Sequence, residues 1–87
     1  MSKVFYVSHV LQAKDIVYLD GDFLPDAKVQ IGDCLTHDRW KLNVTGISSG
    51  LKRPYPKKEI TTLQTTLIQG DSTLLGALIS QSLEKVT

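Results

Sequence analysis

Apolar and polar residues alternate most regularly over RWKLNVTGI, residues 39–47. Trp40, Leu42 and Val44 share one side of an extended chain, and Lys41, Asn43 and Thr45 share the other. A period of two is the mark of a strand with one covered face and one wet face. KVFYVSHVL opens the chain in a similar way and predicts a strand from Lys3 to Val10. Apolar groups fall on both its faces, with Val4, Tyr6 and Val10 on one and Phe5, Val7 and Leu11 on the other. After a polar break at 12–15, IVYLDGDFL sets Asp20-Gly21 between apolar runs, which predicts a hairpin turn there, and Pro25-Asp26 closes that unit. In AKVQIGDCLT, Val29 and Ile31 alternate with Lys28 and Gln30 until Gly32-Asp33, where a turn or bulge is expected. His37-Asp38 then turns the chain into RWKLNVTGI.

From Gly46 to Lys58 the pattern reads as a loop, with Ser48, Ser49, Gly50, Pro54 and Pro56. EITTLQTTLI returns to a strand. In GDSTLLGALISQSLEKV the period changes: Leu75, Leu78, Ile79, Leu83 and Val86 recur at helical spacing, Asp71 or Ser72 can cap the start, and Lys85 lies near the end. An amphipathic helix over about 71–86 is therefore predicted. The sum is a mainly β chain, a small twisted β-barrel of five or six strands with one C-terminal helix that packs on the barrel or plugs one end.

Composition adds bounds to this picture. Eighty-seven residues make one domain, and 41% apolar with 22% charged residues is an ordinary globular balance. Cys34 is the single cysteine, so no internal disulfide forms. There is no basic-then-apolar leader and no apolar run of membrane-spanning length, so a reducing, cytoplasmic setting and no membrane partner are expected. Asn43-Val44-Thr45, formally a glycosylation sequon, reads as part of a strand.

The net charge of +1 conceals a strong segregation. Residues 1–38 carry six acids and three bases, whereas residues 39–58 carry six bases and no acid. A partner meets that local field and not the average. Four of the six bases surround a tyrosine and two prolines in LKRPYPKKE, residues 51–59. Lys52, Arg53, Lys57 and Lys58 form a basic surface, with Arg39 and Lys41 on the strand that feeds it. Tyr55, held between prolines, suits a base-stacking platform. The plainer reading is a polar hairpin tip whose lysines and prolines guard an edge.

Chemistry of other kinds finds little footing. Cys34 and His37 in CLTH lie on a predicted strand, where a three-residue spacing does not bring them together, and a closed zinc site wants four ligands. DGDFLPD lacks the later ligands of a calcium loop. No phosphate loop, dinucleotide fingerprint or serine elbow is present. No metal, no cofactor and no catalysis are expected.

Residues 5–47 resemble the β-barrel module, domain II, of translation GTPases. The matching features are FYVSHV, the turn in YLDGDFL, the Gly32-Asp33 that follows a short strand in AKVQIGDCLT, and the closing WKLNVTGI. The resemblance implies a barrel that contacts tRNA, ribosomal RNA or neighbouring domains and holds no catalytic residues. The expected role is a non-catalytic module binding RNA or single-stranded DNA through Lys52, Arg53, Tyr55, Lys57 and Lys58, helped by Arg39 and Lys41. The alternative is a protein-interaction or assembly module, an accessory or phage-like structural protein or a homo-oligomer, that uses the helix face or a strand edge.

Overall fold

The structure is a computed structural model and describes residues 3–52 and 55–86, the side chains of 50–52 and 55–59 excepted. Six strands form the fold: β1 (Lys3–Ala13), β2 (Ile16–Phe23), β3 (Cys34–His37), β4 (Trp40–Lys52), β5 (Tyr55–Gln69) and β6 (Ser82–Val86). They close into a barrel in the order β1-β2-β5-β4-β3-β6, every neighbouring pair antiparallel. Closure pairs every strand on both sides within the barrel, leaving as edges only the stretches of strand that run past their neighbours. Phe5, Val7, Leu19, Leu35, Leu42, Val44, Leu63 and Leu83 are fully buried at its centre. The alternation read in RWKLNVTGI holds: Trp40, Leu42 and Val44 face the core, while Lys41 and Thr45 are exposed. No helix among the described residues is long and apolar enough to cross a membrane.

The predicted C-terminal helix is not formed. Ser72–Leu78 is a short 3₁₀ helix, Ser80 takes a left-handed backbone (φ 68°), and the chain then extends as β6. The reason is tertiary. β6 lies between β1 and β3, with Phe5 opposite Leu83 and Leu35 opposite Lys85, and without it both strands would present open edges. The apolar spacing that suggested an α-helix serves the 3₁₀ helix as well, because residues three apart eclipse there. Leu75 and Leu78 are buried in the core, while Ile79 stays partly exposed. Asp71 caps the helix as expected, accepting the Thr73 N–H at 2.9 Å.

Three other expectations are corrected. The β1–β2 hairpin turns at Lys14-Asp15, flanked by the Ala13–Ile16 pair, with Lys14 at φ 56°. Asp20-Gly21 instead lies inside β2, where Gly21 packs so close to the Tyr6 backbone that a side chain would not fit. Opposite it Ser8 bulges out of β1, between the Val7–Gly21 and His9–Asp20 pairs. In the 27–37 stretch only Cys34–His37 is strand. Gln30 to Asp33 forms a turn in which Gly32 takes φ 99° and Ile31 projects into solvent, while Val29 packs on the core. Finally, most of the expected 46–58 loop is strand, because β4 and β5 continue as paired partners to Lys52 and from Tyr55.

Candidate nucleic-acid interface

The long β4–β5 hairpin does more than contribute two staves to the barrel. On its outer side β4 is covered by β3 through Asn43, and Val44 is held by the turn, its N–H donating to Asp33 O and its C=O accepting the Gly32 N–H, each at 2.8 Å. β5 is covered by β2 from Thr66 back to Thr61. From Gly46 to Ser49, β4 therefore pairs with β5 alone while β5 still pairs with β2, and among the described residues the two strands pair only with one another from Gly50–Ile60 through Leu51–Glu59 to Lys52–Tyr55. The hairpin thus leaves the barrel as a two-stranded ribbon. Threonine and isoleucine, suited to a pleated surface, line the β5 side of its root, and Ser49 and Thr61 approach hydroxyl to hydroxyl at 3.4 Å.

LKRPYPKKE occupies the end of that ribbon. Lys52 and Tyr55 face each other across the tip, and Arg53 lies outside the described residues. Between the Lys52–Tyr55 and Leu51–Glu59 pairs the register shifts, so Pro56, Lys57 and Lys58 form extra chain on β5 with no β4 counterpart. Proline at 56 accounts for this in part, since it has no N–H to give to a ladder. The backbone therefore brings Lys52, Tyr55, Lys57 and Lys58 to one end of the molecule.

Arg39 and Lys41 are not brought there. Arg39 sits in the Asp38-Arg39 turn between β3 and β4, exposed, with Asp38 Oδ2 3.9 Å from its Nε. Lys41 is exposed and pairs with Thr36 and Gln69 at the opposite end of β4. Eleven residue steps of strand lead from Lys41 to Lys52, a path of at most roughly 36 Å. The whole molecule measures 34 Å along its longest axis.

Two features escaped the sequence. Lys3, Lys28 and Lys85, from three separate segments, line an open cleft of about 350 Å³ together with Pro25 and Asp26. Lys85 is engaged there, 3.2 Å from Asp33 Oδ2 and donating to the Lys28 carbonyl. The Asp33 carboxyl is held below its ordinary value, chiefly by the Gln30 N–H at 2.7 Å; lost hydration opposes this, and Lys85 lowers it further. A second hollow, about 200 Å³, lies on the outer barrel face among His9, Leu11, Tyr18, Asp20 and Thr62, where the Thr62 hydroxyl donates to Asp20 at 2.6 Å. Neither carried a sequence signal, since each gathers residues from distant strands.

Cys34 and His37 occupy the two ends of β3. An odd offset along a strand turns side chains to opposite faces, about 10 Å apart. Among the described residues no three His, Cys, Asp or Glu side chains gather as metal ligands. Comparisons of the chain with protein-family models, curated proteins and solved structures give no match.

Proposed function

We propose that the protein is a non-catalytic binding module that takes RNA or single-stranded DNA on the tip of its β4–β5 ribbon. Lys52, Arg53, Lys57 and Lys58 neutralise phosphates, and Tyr55 offers a ring on which a base stacks. The observation that carries the reading is the ribbon itself, which holds the backbone of this basic segment beyond the last strand pairs of β2 and β3. A projecting arm presents its cations and ring clear of the barrel wall, where a single strand can lie along them.

The test is binding of a fluorescent single-stranded oligonucleotide across a salt series. With about four phosphates neutralised, log affinity falls by roughly three per decade of salt. The Lys57→Glu/Lys58→Glu variant is expected to lose binding and Tyr55→Ala to weaken it, with the circular dichroism unchanged. Binding equal to wild type in the charge variant overturns the proposal.

The assembly reading keeps one specific support. Its helix face is gone, since Leu75 and Leu78 point into the barrel. Its strand edge is present along β4.

A further inference from the structure

Between Lys41 and Lys52, β4 carries no charged residue: the run is LNVTGISSGL. Its first part is covered by β3 and the 32–33 turn, but Gly46–Leu51 is paired on one side only, with β5. Alternate backbone N–H and C=O groups along the other side of this stretch therefore meet no strand among the described residues. Natural proteins blunt such edges with lysine, proline or a covering segment. The β5 edge of the same ribbon has all of the usual guards in sequence, Pro56, Lys57, Lys58 and Glu59. The β4 edge has none. Ser48 and Ser49 are exposed, and Ile47 adds an apolar group that is 38% exposed.

We infer that Gly46–Leu51 pairs antiparallel with the same segment of a second copy of this chain, so that the β4–β5 sheets of the two copies become continuous. Charge selects this occupant. An edge without cations offers nothing to a phosphate backbone, and an edge without acids offers nothing to a basic peptide. A two-fold antiparallel contact sets residue i against j and j against i about one axis, so a charge near the axis would meet its own copy, and Gly46-Ile47-Ser48-Ser49-Gly50 carries none. With the axis near Ser48 and Ser49, the pairing runs until each strand reaches the partner's 32–33 turn, which limits it to about six residues a side. The antiparallel sense also sends the two basic tips in opposite directions. Lys52 lies three to four residues from the axis, so the tips stand roughly 24 Å apart, about three Debye lengths at physiological salt, and their repulsion is largely screened. Parallel pairing would set them side by side.

Sedimentation equilibrium of the full chain over a wide concentration series tests this without any oligonucleotide, so its result is independent of the nucleic-acid reading. The wild-type mass is expected to rise from 9.6 kDa toward twice that value. Ser48→Lys, an exposed position, places like charges across the axis and is expected to hold the chain at the single mass. Mixing Ser48→Lys chains with Ser48→Glu chains is expected to restore the doubled mass, which a mere folding defect would not allow. A wild-type chain that stays at 9.6 kDa throughout overturns the inference, as does a Ser48→Lys chain that still doubles, or a mixture that does not. If the variant fails to fold, amide exchange of residues 46–51 in the wild-type chain decides: protection that grows with concentration supports the pairing, and constant protection overturns it.

Discussion

A methyl group at Gly21 would strike the carbonyl oxygen of Tyr6 and press on the Phe5 ring, whereas at Gly76 it would meet nothing within 4 Å. The two positions separate a glycine that packing requires from one that neither packing nor a left-handed backbone requires. Gly21→Ala is expected to cost at least about 1–3 kcal/mol, as overpacking against backbone does, and Gly76→Ala to stay within about 0.5 kcal/mol. Urea titration of the two variants measures both. The same contact explains why Asp20-Gly21 misled. An Asp-Gly pair between apolar runs favours a hairpin when only its neighbours count. Here the Ser8 bulge and the approach of β1 required a residue without a side chain in the middle of a strand, and that requirement comes from residues more than ten positions away.

At the scale of elements, the segment that crosses from β2 to β3 is tied down by Asp33. Its carboxylate accepts the Gln30 N–H, which shapes the turn, and meets Lys85 of β6 at 3.2 Å, which fastens the crossover to the strand that closes the barrel. Both contacts favour the charged form, so the folded-state pKa lies below the ordinary 3.8. A carboxyl depressed by folding contributes stability that is present above its unfolded value and is lost as pH falls through its folded value. Asp71, lowered by the Thr73 hydroxyl and N–H at the cap of the 3₁₀ helix, acts with the same sign. The thermal midpoint is therefore expected to decline as pH drops below about 3.8, with a shallower decline in Asp33→Asn than in wild type. An equal slope in the two proteins counts against this role for Asp33.

For the molecule as a whole, the position of charge matters more than its sum. The basic segment of the chain, residues 39–58, is stretched along one hairpin, with Arg39 and Lys41 at the barrel end and Lys52, Lys57 and Lys58 in the stretch at the tip. If the tip is the grip, Arg39→Glu/Lys41→Glu should retain most of the oligonucleotide affinity that Lys57→Glu/Lys58→Glu loses, and the same anisotropy titration compares them. Equal losses would extend the interface along the whole hairpin. Strand-forming segments, the covered face of Trp40, Leu42 and Val44, the turn at Gly32-Asp33 and the clustering of bases near Tyr55 were all legible in the sequence, because each rests on neighbours two to four residues apart. The fate of residues 79–86 was not: their apolar spacing suits a helix, and only the open edges of β1 and β3 turned Ser82–Val86 into a strand. Nor did the sequence foretell the ribbon. Local chemistry marked 46–58 as a loop, while backbone pairing between two strands outweighed the glycines and serines and carried the basic segment beyond the barrel's last pairs. Local periodicity determined which residues face inward; long-range hydrogen-bond closure decided which elements they form and where the charges stand.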